Sequence, residues 1–493
     1  MDELTRLSNA TLNQLQGSVR VPRYDRAVLT PGIVHIGLGN FHRAHQAWYV
    51  HRLMDMGLCQ DWGIVGAGVR PYDAQMRQKL LAQDCLTTLI ELDQESTSVE
   101  VTGAMIDYLP VEDGHRPLIA QMADPATRIV SLTVTEGGYF RVGGAFDADH
   151  PEILEDLAKP DAPATAFGAI VAALKQRRER GLGPFTVQSC DNLQNNGDIV
   201  RCTIVSLARL ADPELADWID ASCSFPNSMV DCIVPATGSK EIALVRDLGI
   251  GDMAPVTHEP FRHWVIEDDF CAGRPEWERV GATMTDDVHR FEAMKLRVLN
   301  GGHQIVANAG DLLGIETIAE ASTHPLISGF FRKVETEEIL PDVRPVPGFT
   351  PLTYFDLVER RFANSRIVDT TRRVAFDGSS RHPGFILPSV RDRLAADASV
   401  EGLALVEALW ARYCLGVRED GSKIEPNDPI WSELQPQAEL AKGDPAAWLG
   451  LESIYDDALV GDTRFSDAFT RHLTRIYEDG VAGAIDAYLS GRA

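Results

Sequence analysis

Glu292, Lys295, Asn300 and His303 place a carboxylate, an amine, a carboxamide and an imidazole within the single stretch 291–303. Such a set can carry a proton to or from a hydroxyl and hold the charge that develops on its oxygen. The pattern predicts a helix. At 100° per residue, with Lys295 at zero, Glu292 falls at about 60°, His303 at about 80° and Asn300 at about 140°. The four polar groups then share one face. Gly301 and Gly302 interrupt the same stretch. Each costs up to ~1 kcal/mol against alanine inside a helix, so close approach of another group to the backbone is expected there. The plainer alternative is a solvated face carrying a Glu292–Lys295 pair of the i,i+3 type.

A second chemistry-bearing segment is Gly37-Leu38-Gly39-Asn40-Phe41-His42. It follows a short apolar run, 33–36, that reads as a buried strand, and it opens a helical pattern. In that context the first glycine allows a tight turn and the second lets the backbone approach a pyrophosphate, which the helix N-terminus then faces. The pattern departs from G-x-G-x-x-G, because His42 stands where a third glycine or alanine is usual. A plain tight turn is the alternative. A further loop, Gly66-Ala67-Gly68, ends the next strand, where a Rossmann unit meets the adenosine ribose. Asp73 suits the ribose 2′-hydroxyl of NAD and Arg70 the 2′-phosphate of NADP. Both are present, and the acidity of the chain leans slightly toward NAD.

Two more polar clusters sit at strand ends. In Ser189-Cys190-Asp191-Asn192 the carboxamide of Asn192 can donate to an oxyanion or simply cap a helix. In Phe225-Pro226-Asn227-Ser228-Met229-Val230-Asp231 the terminal carboxylate can bind a substrate hydroxyl or sit in an ordinary turn.

The elements that must position these groups fall into two halves. Strand-like runs at 33–36, 63–67, 128–135 and 185–189 alternate with helical patterns at 41–56, 73–83 and 167–180, which argues for a parallel sheet covered by helices. Beyond about residue 291 the periodicity is mostly helical, at 294–313, 325–339, 351–363, 403–413 and 467–477. The proline-rich segment 340–351 reads as a stiff connector. The fold class expected is α/β: a Rossmann-type dinucleotide-binding domain, 1–285, followed by a mainly α-helical domain, 286–493.

Composition excludes several classes. The 493 residues carry 46 basic and 72 acidic side chains, a net charge of −26. Such a chain repels nucleic-acid phosphates and anionic membrane surfaces overall. With 44% hydrophobic residues it is neither disordered nor fibrous. Its eight cysteines form no C-x-x-C pair, so reduced thiols, no metal site and a cytoplasmic location are expected. The first residues show no basic-then-apolar leader, and no apolar run reaches membrane-spanning length.

The segments Gly37-Leu38-Gly39-Asn40-Phe41-His42-Arg43-Ala44-His45, Thr135-Glu136-Gly137-Gly138-Tyr139, Ser189-Cys190-Asp191-Asn192, Phe225 to Asp231, Lys295-xxxx-Asn300-xx-His303 and Asp377-Gly378-Ser379-Ser380-Arg381 occur in this order. In this the chain resembles the polyol-specific long-chain dehydrogenases over roughly residues 30 to 480. The resemblance implies a site between the two domains, NAD as cofactor, no metal and a monomer. It implies Lys295 as general base, Asn192 and Asn300 as donors to the alkoxide, and His303 and Asp231 as groups that orient sugar hydroxyls. Glu292 would gate proton exit and Arg373 would contact substrate. Arg381 stands where a lysine is expected, which changes the donor geometry. Ile36, Gly37, Leu38, Gly39, Asn40, Phe41, His42, Arg43, Arg70, Asp73 and Glu136 would line the cofactor.

The reaction implied is oxidation of D-mannitol at C2 to D-fructose, with activity on D-arabinitol and D-sorbitol. A lysine at its ordinary pKa of ~10.4 is a poor base at neutral pH, so burial and the nicotinamide charge must bring it toward ~7–8. Alternatives are a fructuronate reductase-like or D-arabinitol dehydrogenase activity, or a nucleotide-binding protein without catalysis. Two other dehydrogenase classes do not fit, since no tyrosine precedes a lysine by four residues and no cysteine–histidine cluster suggests catalytic zinc.

Overall fold

The computed structural model describes residues 4–15, 19–134, 136–142 and 144–492. The chain divides into two compact units, Met1–His289 and Arg290–Ala493.

The first unit is built on five parallel strands: β1 (Pro31–Ile36), β2 (Gly63–Ala67), β3 (Met105–Tyr108), β4 (Ile129–Leu132) and β5 (Thr186–Ser189). Their order across the sheet is β5-β4-β1-β2-β3, with every pairing parallel. The chain runs outward from β1 through β2 and β3, then returns to the other side of β1. This is the doubly wound order with its switch point between β1 and β4, where the strand ends leave a crevice. Apart from Pro31 and the edge strand β3, the strand residues are buried on both faces, which explains the near-continuous Ile and Val runs. Val34, Val65 and Val130 pack on one side of the sheet with Phe167 and Ile170. Ile33, Ile64 and Ile129 pack on the other with Val50, Leu53 and Trp264. One polar residue breaks the run. His35 is fully buried in β1, and its ring is satisfied by Ser131 Oγ at 2.8 Å and Thr133 Oγ1 at 3.0 Å.

The helix expected over 41–56 is two helices, Asn40–Ala44 and Gln46–Asp55. His45 breaks it at φ −118°, ψ −96°. Its buried ring packs against Phe41, Tyr49 and Trp264 at centroid distances of 4.8, 5.3 and 5.3 Å, and this tertiary packing overrides the local helical pattern. A smaller sheet pairs Ser228–Asp231 antiparallel with His263–Glu267.

The second unit is helical. The single helix expected over 294–313 is Val288–Met294, a π-helical segment Lys295–Gly301, and Gly302–Leu312. Another π segment, Glu335–Ile339, ends the helix Pro325–Val334. The pattern at 467–477 belongs to a longer helix, Thr463–Leu489, interrupted at Gly480, and it packs along Glu401–Tyr413. Among the described residues no helix is long and apolar enough to cross a membrane.

Candidate active site

β1 ends at Ile36 and the chain turns at Gly37 with φ +88°. A Cβ at Gly37 would run into the carbonyl of Thr133, so the fold itself requires glycine. Gly39 differs. No protein atom lies closer than 4.0 Å to the place its Cβ would take. The fold does not need glycine there, but a pyrophosphate drawn against the backbone does. By this test the loop fits a dinucleotide.

The side chains of the loop mostly turn inward. Ile36 and Leu38 are buried in the core on opposite sides of the sheet. Asn40 donates to Pro235 O at 3.1 Å and Thr237 Oγ1 at 2.9 Å, and accepts from Arg43 Nη2 at 2.7 Å. Arg43, 1% exposed, donates to the carbonyls of Gly39 and Ala254. Burial brings its guanidinium down to about 10. The His42 ring stacks on His35 at 3.4 Å, so two imidazoles fill the helix–strand contact that a third glycine would leave tight. Burial, and then the neighbouring His35, His45 and Arg43, hold His42 neutral. Phe41 stacks on His45. Asn40, His42 and Arg43 therefore brace the loop with their side chains, and the loop presents backbone to a ligand.

At the end of β2, Asp73 Oδ2 accepts from the amides of Val69 and Arg70, both at 3.0 Å. Arg70 reaches Glu152 with two donors, at 3.1 and 3.4 Å. The side chain of Glu136 lies outside the described residues.

Asn192 is exposed on the turn after β5. Beneath it Asp191 Oδ2 accepts from Val134 N at 3.1 Å and from the Tyr139 hydroxyl at 2.7 Å. Burial and then Asp191 push the Tyr139 phenol up, so it stays a donor. Asn196, which the sequence reading passed over, ties this turn to the strand ending at Asp231: its Nδ2 donates to Asp191 O at 3.1 Å and Ser228 O at 2.8 Å. Asp231 itself is 3% exposed and sits opposite His263. The Asn192 turn and the Asp231 strand are thus held as one piece.

In the helical unit, Lys295 opens the π segment and is only 6% exposed; Glu292, one turn earlier, is 3% exposed. The regular helical wheel fails over this stretch. A turn closed by i→i+5 bonds is wider than an α turn, so each residue advances by less than about 100°. Asn300 therefore falls nearer to the Lys295 direction than the ~140° that a regular helix would give. The expected approach to the glycines is found. A Cβ at Gly302 would meet the Phe331 ring at 2.7 Å, and at Gly301 it would meet Phe385 O at 3.4 Å. The His303 ring stacks on Phe362 at 4.2 Å and 9°. Burial, followed by the charges of Arg373, Arg361, Arg381 and Lys295, holds its pKa well below the ordinary value. The structure thus gathers Lys295, His303, Arg373 and Arg381 into one neighbourhood, and adds Arg361 and Phe362, which no local pattern marked.

Arg373 pairs with Asp369, its Nε donating to Oδ1 at 2.5 Å. Arg381 Nη1 donates to Val374 O at 2.5 Å. The glycine of Asp377-Gly378-Ser379-Ser380-Arg381 has a local reason: a Cβ at Gly378 would collide with the Trp410 indole. The same indole stacks on His382, whose Nδ1 lies 2.8 Å from Glu407 Oε1.

A doubly wound nucleotide-binding unit joined to a helical unit that carries a buried lysine defines a dehydrogenase of two-domain type. The Mannitol dehydrogenase Rossmann domain matches residues 31–279, and the Mannitol dehydrogenase C-terminal domain matches 287–477. The chain belongs to the mannitol dehydrogenase family. It is 53% identical to a mannitol 2-dehydrogenase of Cereibacter sphaeroides, over 96% of this chain and 99% of that protein. The structure of Pseudomonas fluorescens mannitol 2-dehydrogenase in ternary complex with NAD and D-mannitol matches with a TM-score of 0.90 at 41% identity, covering 98% of this chain and 99% of that one. A D-sorbitol dehydrogenase in substrate-free form matches with a TM-score of 0.88 at 35% identity, covering 97% and 100%.

Proposed function

We propose that the protein oxidises D-mannitol at C2 to D-fructose with NAD+, and catalyses the reverse reduction. The observation that carries this reading is Lys295: an amine, 6% exposed, at the start of a π segment, beside an imidazole held neutral. Likeness to mannitol 2-dehydrogenases along nearly the whole chain supports the substrate.

NAD+ supplies the acceptor for the hydride that leaves C2. Lys295 Nζ takes the proton of the C2 hydroxyl, so the carbon loses a hydride and the oxygen a proton, leaving the ketone. Asn192 and Asn300 donate to the oxygen as negative charge builds on it; losing one such donor typically costs ~2.7–4 kcal/mol of barrier. His303, neutral and fixed by Phe362, and Asp231, fixed through Asn196 and its strand, orient the other hydroxyls. The lysine then releases its proton by way of Glu292. In reduction the ammonium is the acid. The glycine loop with Ile36 to Arg43, the Arg70–Asp73 turn and Glu136 hold the cofactor.

A second reading, D-sorbitol as a good substrate, is favoured by the likeness to a D-sorbitol dehydrogenase. A uronate substrate is not favoured, because Arg373 is already paired with Asp369. The test is a panel of D-mannitol, D-sorbitol, D-arabinitol and a sugar acid, each with NAD+ and NADP+. D-Mannitol with NAD+ is expected to give the highest kcat/KM. A sugar acid in first place, or NADH binding with no polyol-dependent reduction of NAD+, overturns the reading.

A further inference from the structure

Arg70 and Asp73 point to opposite cofactors, and the structure brings a third residue, Glu152, against Arg70. Glu152 lies in the first turn of the helix Pro151–Ala158. Its carboxylate meets the Arg70 guanidinium in a two-pronged contact, Nη1 to Oε2 at 3.1 Å and Nη2 to Oε1 at 3.4 Å. Both ends of this pair are held. On one side Asp73 fixes the turn by accepting from the amides of Val69 and Arg70, and a Cβ at Gly68 would collide with that same carboxylate. On the other side Asp156 anchors the Glu152 helix. It accepts from the amides of Ala164 and Thr165 at 2.6 and 3.1 Å and also from the Thr165 hydroxyl, while Ile153 is fully buried.

We infer that Glu152 is a specificity-determining residue that excludes NADP. The inference rests on the reading above that the turn after β2 faces the adenosine ribose. An arginine at this place is the group that would take a 2′-phosphate. Bound two-pronged to Glu152, its donors are directed to a carboxylate instead. The same carboxylate sets a negative charge beside any incoming phosphate dianion. Discrimination against one ligand by a fixed opposing charge needs no added contact to the other. The 2′-hydroxyl of NAD carries no charge and is not opposed.

The test is Glu152→Gln, which keeps the shape and removes the charge. The ratio of kcat/KM for NADP+ over NAD+ is expected to rise about tenfold, with kcat/KM for NAD+ within about twofold of the parent. Binding of adenosine 2′-monophosphate, followed by calorimetry, should tighten in parallel while that of adenosine 5′-monophosphate does not. In Arg70→Ala/Glu152→Gln both gains should shrink to the part that removal of the opposing carboxylate gives by itself. An unchanged ratio in Glu152→Gln with an unaltered melting temperature overturns the inference. If Arg70→Ala and Asp73→Ala both leave the KM of both cofactors unchanged, the ribose reading itself has failed. That outcome is distinct from a failure of Glu152 alone.

Discussion

At the glycine loop the side chains of Asn40, His42 and Arg43 run into the fold, and the proposed ligand would meet backbone. At the Lys295 segment the backbone is what bends, into a π-helix, and the proposed chemistry falls to side chains. The first region is made by what is missing, a Cβ at Gly37 and at Gly39. The second is made by what crowds in, the Phe331 ring against Gly302 and the Phe385 carbonyl against Gly301. The two also treat charge differently. Around the glycine loop buried imidazoles are kept neutral, with His35 and His45 down at about 3. In the helical unit burial acts on carboxyls as well as on His303: Glu335 lies well above its ordinary range, and Glu338 is pushed up to about 7, in both cases chiefly by burial. A pyrophosphate can be met by backbone alone, whereas moving a proton needs a particular side chain in a particular place.

Lys295→Ala should break this contrast most severely. Turnover should fall by ~10²–10⁴-fold, the usual worth of a general base, with NADH affinity nearly unchanged in a fluorescence titration. Added primary amine should restore part of the rate. With Lys295 as the proposed base, polyol oxidation in the parent enzyme should rise with pH, because it uses the neutral amine, and ketose reduction should fall, because it uses the ammonium. Steady-state profiles that slope the same way would remove Lys295 from the role of base.

The two glycines separate next. Gly37→Ala places a side chain at φ +88° against Thr133. Strain of this kind costs ~1–3 kcal/mol before the clash is added, so the melting temperature should drop by several degrees and NADH binding should go with it. Gly39→Ala has room in the protein. It should melt within a degree or two of the parent yet bind NADH about tenfold more weakly (~1.4 kcal/mol). Equal effects on stability would show that Gly39 is structural too.

The shifted groups predict opposite pH slopes of stability for the buried imidazoles and for Glu338. His35, His45, His51 and His258 have folded values of about 3. Below ~6.5 the unfolded chain takes up protons that the folded one refuses, so stability is lost as pH falls from ~6.5 toward 3, each imidazole adding about 1.4 kcal/mol per pH unit. Glu338 has a raised folded value, about 7. Its contribution is lost in the other direction, as pH rises from ~4.3 to 7, because the unfolded chain ionises first. Hydrogen exchange should show acid loosening β1 and β4 before the helices, and rising pH loosening the Glu335–Ile339 segment first. Acid that left β1 and β4 as protected as at neutral pH would contradict this.

The smallest effect is expected from Glu292→Ala. If Glu292 passes the lysine proton outward, the solvent isotope effect should grow while the single-turnover hydride step stays unchanged. A hydride step slowed in equal measure would return Glu292 to an i,i+3 partner of Lys295 worth ~0.2–0.5 kcal/mol.

Much of this molecule was legible before the structure. Runs such as Ile33 to Ile36 read as buried strands because a parallel sheet is apolar on both faces. The glycine turn read as a nucleotide loop because strand, turn and helix follow one another within a dozen residues. The π segment was not legible. Regular periodicity assigns 100° per residue wherever apolar groups allow it, and the contacts from Phe331 and Phe385 that accompany the wider turn come from other helices. Phe362 and Arg361 escaped for the same reason, since aromatic and basic residues on a helix carry no sign of what they will touch. The break at His45 escaped because Trp264, one of the rings packed on it, lies far along the chain.

The sequence by itself determined where the backbone must turn and which residue types could accept a proton. These follow from the steric limits on glycine and from the chemistry of an amine, a carboxamide and an imidazole. Tertiary structure alone decided which of those groups are poised for work. It turned Asn40, His42 and Arg43 into braces, set His303 neutral among cations, brought Asn300 round toward Lys295, and closed Glu152 on Arg70 from 82 positions along the chain. Charge state and direction depend on what packs around a group in space, and that information is spread over segments no local pattern connects.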